Sequence, residues 1–168
     1  MGKVLTGRGS AQDGCARFEA ELCAYLGVRH VRAVDSGRVA LHLALAGLGL
    51  KPGAKVILPR YCFYSLVHVL QGMDLVPQWA PVDPDTLGLD PARLDIQDAD
   101  AVVLIHPFGQ LGAVSQIRDL CDQAGVALIE DGSQATGGML GQRRVGALGK
   151  AGVFSLVSGK NLQTFGGG

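Results

Sequence analysis

Apolar positions along the chain switch between helical spacing and short continuous runs. Phe18, Leu22, Tyr25 and Leu26 recur at helical spacing, and Gly27 follows as a C-terminal stop. The next run, Val31–Val34, reads as a strand. Ser36-Gly37 then turns the chain into a helix that reaches Leu48 and is stopped by Gly49. Lys51-Pro52-Gly53 marks a turn before a strand at Lys55–Leu58. The pattern continues with a helix at Ser65–Gln71 and a strand at Leu75–Ala80, where Pro77 lacks a ladder donor and either weakens the strand or places it at an edge. After a loop at Asp83–Pro91 come a strand at Ala101–Ile105, a helix at Val114–Ala124 stopped by Gly125, and a strand at Val126–Ile129. The Gly-rich stretch Gly137–Gly149 reads as irregular, and Gly152–Leu156 as the last strand.

About six strands alternate with helices, and the strands are continuous apolar runs. Such strands need cover on both faces, so the expected class is α/β, a mostly parallel sheet with helices on both faces. Ligands of open sheets of this kind bind beyond the C-terminal ends of the strands. The length, 168 residues, corresponds to one domain, and no repeat or linker interrupts it.

Composition narrows the function classes. Fifteen basic residues balance fifteen acidic ones, so no charged face favours nucleic acid or an acidic membrane as a partner. Cys15, Cys23, Cys62 and Cys121 form no C-x-x-C pair and have no histidine at ligand spacing, which argues against zinc. Met1–Ser10 carries Lys3 and Arg8 but no apolar run, and no stretch reaches about 18 apolar residues. The expectation is a cytoplasmic protein with reduced thiols and no membrane span.

Polar and aromatic residues follow each strand: Asp35-Ser36-Gly37, Pro59 to Phe63, His106 to Gly109, Glu130 to Gln134, and Ser158-Gly159-Lys160. A lysine amine, a strand-end carboxylate and a helix N-terminus able to take phosphate together suit pyridoxal 5'-phosphate (PLP). Taken singly, each has a plainer explanation. A lone lysine is usually solvated, Asp131 could cap a turn, Phe63 and Phe108 could be core, His106 structural, and Ser36-Gly37 an ordinary turn.

The segments FEAELCAYLGVRHVRAVDSGRVALHLAL, KPGAKVILPRYCFYS, PVDPDTLGLDPARL, VVLIHPFGQLG, LIEDGSQATGG and GVFSLVSGKNLQTFGGG occur in this order from Phe18 to Gly168. In that order they resemble the DegT/StrS family of PLP-dependent sugar aminotransferases, which have the type I aminotransferase fold. The resemblance implies that Lys160 holds the cofactor covalently and then moves the proton. It places Asp131 on the pyridine nitrogen, Gln134 on the phenolic oxygen and Phe63 against the ring. The phosphate would take the amides of Gly37 and Arg38 and the hydroxyl of Ser155. His106 receives no firm role. Arg38 stands where the family usually has threonine, and Cys62 replaces another threonine, read as a packing change. The implied reaction moves an amino group from an amino-acid donor, commonly glutamate, to a keto-sugar nucleotide, in a protein that is a homodimer at full length. A branch that dehydrates its sugar carries histidine in place of the lysine, so Lys160 argues against it.

The resemblance also implies that residues 1–168 are the PLP-binding large domain, truncated after the cofactor lysine. It further implies a strand entering the sheet beside the first strand, and a C-terminal small domain, neither of which falls within residues 1–168. The alternative is a truncated, non-catalytic relative that keeps the fold without turnover. A P-loop reading of Ser158-Gly159-Lys160 fails, because Phe154 and Asn161 stand where glycine and a hydroxyl residue are needed. Gly7-x-Gly9 has no preceding strand and makes a weak dinucleotide motif.

Overall fold

The computed structural model describes residues 11–164 and 166–168. The Gly7-x-Gly9 pair and the reading of Met1–Ser10 lie outside them. Two compact units are present, one ending at Ala33 and one running from Val34 to Gly168. In the first, α1 (Ala11–Leu26) ends at Gly27, whose φ of 69° is the left-handed turn that glycine adopts without penalty. Glu19 on this helix accepts the Ala33 N–H at 2.9 Å.

The second unit holds α2 (Gly37–Gly47), β1 (Lys55–Pro59), α3 (Ser65–Gln71), β2 (Val76–Ala80), β3 (Ala101–Ile105), α4 (Val114–Ala124), β4 (Ala127–Asp131), β5 (Met139–Leu140), β6 (Arg143–Arg144) and β7 (Ala151–Val153). Five of the strands form a sheet of order β2-β1-β3-β4-β7, and every pairing is parallel. β3 is buried along its whole length, as its unbroken AVVLI run requires. β2 is an edge strand, one of the two outcomes that Pro77 allows.

Side chains alternate across the sheet. Val56, Leu58, Val103, Ile105 and Ile129 pack with Leu41 and Leu45 of α2 and Leu66 and Leu70 of α3. Ile57, Val102, Leu104 and Leu128 pack on the other face with Val114, Ile117 and Cys121 of α4. Each fully buried leucine contributes about 2 kcal/mol.

The structure corrects several expectations. Val31–Val34 is not a strand. A strand exists only through a ladder partner, and what Val34 meets is Gly168, with which it exchanges two backbone hydrogen bonds of 3.0 Å, while Ser36 makes a single bridge to Gly167. The main sheet therefore has five strands. The last one stops at Val153, opposite Asp131, because the next amides leave the ladder: Leu156 N–H goes to Gly167 O at 2.9 Å. β4 reaches Asp131, two residues beyond the predicted end. The Gly137–Gly149 stretch contains the two-residue hairpin β5–β6.

Candidate functional site

The C-terminal ends of β1, β3, β4 and β7 and the N-terminus of α2 open on one cavity of about 590 Å³, within the range of small-molecule sites. Gly37, Arg38, Phe63, Asp131, Gln134, Ser155 and Lys160 all line it, so the structure brings together every residue to which the family resemblance gives a role.

Ser36 caps α2 in an extended conformation, and its hydroxyl accepts the Val39 N–H at 3.4 Å. The amides of Gly37 and Arg38 belong to the first helical turn, which has no intrahelical acceptors, and the helix dipole adds positive potential there. Gly37 stands at a close approach. A β-carbon at this position would stand 3.1 Å from Ser155 Cβ and 3.3 Å from the Phe154 carbonyl oxygen. The glycine thus lets a helix N-terminus and a serine side chain face the same spot.

Asp131 is the last ladder residue of β4, between Ile105 and Val153. Its Oδ1 accepts the Ser133 N–H at 2.9 Å, which fixes the carboxylate rotamer. Gln134 Oε1 accepts the Phe108 N–H at 3.0 Å. A backbone N–H can only donate, so this bond orients the carboxamide and leaves Nε2 as the free donor end. Lys160 sits on a turn closed by its own N–H to Val157 O at 3.2 Å, with Gly159 at φ 90° and its N–H on Gln163 Oε1 at 2.9 Å. Phe63 is exposed and pairs with Tyr64, ring centroids 4.7 Å apart.

Sequence reasoning passed over Tyr61, Cys62 and Ser133, which also line the cavity. Cys62, read as a packing change, stands in the wall, where burial and then the charge of Asp131 raise its thiol pKa. The signal was available: Cys62 and Ser133 directly neighbour Phe63 and Gln134, and Tyr61 lies two residues before Phe63 in the same strand-end segment. His106 is absent from the lining. It is buried, and its Nε2 lies 2.8 Å from Glu130 Oε1, while Glu130 Oε2 accepts the Leu148 N–H at 3.0 Å.

The cavity thus offers an amine, a carboxylate, a carboxamide donor, an aromatic face and an anion cradle. That donor set fits a phosphorylated heteroaromatic aldehyde. Among the described residues, no group of histidine, cysteine, aspartate and glutamate could hold a metal ion, and no helix is long and apolar enough to cross a membrane.

Known proteins resemble this chain in sequence and in fold. GDP-perosamine synthase of Vibrio cholerae is 34% identical over 90% of this chain and 42% of its own length. DesV of S. venezuelae, solved in complex with a ketimine intermediate, superposes with a TM-score of 0.85 at 33% identity, over 96% of this chain and 45% of that one. NtdA of Bacillus subtilis, solved with bound cofactor PMP, gives a TM-score of 0.81 at 27% identity, over 91% of this chain and 35% of that one. The chain spans less than half the length of the relatives it matches. A family profile matches residues 4–168, and the chain belongs to the DegT/DnrJ/EryC1/StrS aminotransferase family.

Proposed function

We propose that this chain is the cofactor-binding large domain of a PLP-dependent aminotransferase that moves an amino group from an amino acid, glutamate in the first instance, to a keto-sugar nucleotide. A cytoplasmic homodimer is part of the same reading. The observation that carries it is the convergence of Lys160, Asp131, Gln134, Phe63, Ser155 and the α2 N-terminus on one cavity. The close Gly37–Ser155 approach, which leaves little room for a β-carbon, supports the fit for a phosphate.

Bound PLP supplies an aldehyde for amine exchange and an electron-withdrawing ring. The residues do the rest. Lys160 Nζ holds the cofactor and then carries a proton as general acid and base. Asp131 keeps the ring nitrogen protonated through its charge. Gln134 Nε2, the donor end left by the Phe108 N–H on Oε1, donates to the phenolic oxygen. Phe63 covers the ring and excludes water. The amides of Gly37 and Arg38 and the Ser155 hydroxyl take the phosphate, and the Arg38 guanidinium is available as a further partner.

The test is a PLP titration of the intact protein followed by visible absorbance, with borohydride reduction and peptide mapping. The expected result is a visible band and cofactor fixed on the peptide carrying Lys160, both lost in Lys160→Ala. Cofactor fixed at another lysine, or retained on Lys160→Ala, refutes the assignment.

A further inference from the structure

Phe108 lies in a 3₁₀ turn, Pro107–Gly109, that follows β3, with φ 54° and ψ 21°. A bulky residue in the left-handed region is an outlier, and such outliers persist only where the surroundings hold them. Here the holders are identifiable. The Phe108 N–H donates to Gln134 Oε1 at 3.0 Å, the Gln110 N–H closes the turn on Pro107 O at 2.9 Å, and Pro107 beneath is buried.

The strained backbone does not serve to bury the ring. Phe108 is 66% exposed, and it stands beside Tyr61, with ring centroids 6.3 Å apart and planes inclined at 31°. Tyr61 is itself 47% exposed and lines the cavity. Beside the cavity wall, then, stand two aromatic rings that this chain leaves exposed.

Resting on the aminotransferase reading, we propose that Tyr61 and Phe108 form the subsite for the sugar ring of the amino acceptor. Aromatic faces carry negative charge density and attract the C–H-bearing face of a pyranose, whose hydroxyls then point to solvent. The two rings make a one-sided, shallow wall, which suits a sugar with one apolar face. A planar base would call for a slot between parallel rings. The amino-acid donor is a small charged molecule for which this wall offers no counter-charge, so the subsite separates the two substrates.

The test uses the intact, PLP-loaded protein and, as probe, whichever keto-hexose linked to GDP, UDP or dTDP it aminates fastest. Phe108→Gly is the informative variant: glycine takes φ 54° freely and keeps the N–H for Gln134, so only the ring is removed. Acceptor KM should rise about tenfold in Phe108→Gly and in Tyr61→Leu, the scale of one aromatic contact. PLP affinity and donor KM should stay within about twofold, and Phe108→Tyr should restore the acceptor KM. Unchanged acceptor KM in both variants overturns the subsite alone. So does weakened PLP binding in Phe108→Gly, which would make the turn a cofactor support. A wild-type protein that holds no PLP, or aminates none of the panel, overturns the aminotransferase reading and the subsite with it.

Discussion

Glu130 and Asp131 are adjacent carboxylates at the end of one strand, and the pleat sends them to opposite faces of the sheet. Asp131 follows Ile129 toward α2 and α3 and reaches the cavity wall. Glu130 follows Leu128 toward α4, where it is fully buried and both its oxygens are engaged, one by His106 and one by the Leu148 amide. The first is held by a single local backbone bond and stays open to a ligand. The second ties β4 to the end of β3 and to the Gly-rich segment before β7. A shift of one residue separates a group available for chemistry from a group committed to structure, and the pleat alone decides which is which.

Substitutions at the two positions should therefore fail in different ways. Asp131→Ala should cut transamination by ~10³-fold, the scale of losing one preorganised electrostatic partner, while the melting temperature changes little. A steady-state assay beside a thermal melt reads both, and near-normal turnover would break the assignment. Glu130→Ala should do the reverse, costing about 3 kcal/mol of stability by leaving His106 and the Leu148 amide unpartnered in the interior. Glu130→Gln, which keeps an acceptor for the amide, should cost less than half of that in denaturant unfolding; equal losses would show that shape, not bonding, matters there.

The smallest effect concerns the α4 face under alkali. Burial raises the Cys121 thiol from 9.0 to about 11. Between these values the unfolded chain loses a proton that the folded chain keeps, so stability is complete below pH 9 and falls as pH rises toward 11, by at most a few kcal/mol. Cys121→Val should flatten that slope in unfolding measured across the window, and an unchanged slope would place its origin elsewhere.

Much of this was readable from the chain. The helices Ser65–Gln71 and Val114–Ala124 and the strand Ala101–Ile105 match their predicted bounds, because periodicity and stop signals are local. Val31–Val34 failed because a strand is defined by its neighbour, which an apolar run does not name. The Met139–Arg144 hairpin was hidden in a stretch whose glycines signalled only irregularity. At the site, the ordered family segments pointed to Lys160, Asp131 and Gln134. Glu130 could not be separated from Asp131 without knowing the phase of the pleat, and the positive φ of Phe108 has no mark in its residue type.

The walls of the cavity are gathered from segments running from Ser36 to Lys160. Parallel strands cannot be zipped up as hairpins, and each must close a long loop before its ladder gives anything back. The pocket thus exists only once the last strand has docked, so refolding should be slow for the chain's size and no partly folded species should hold the cofactor. A ligand that arrives after the rate-limiting step cannot template it. PLP would leave the folding rate unchanged, slow unfolding, and lengthen the lifetime of the native state by mass action.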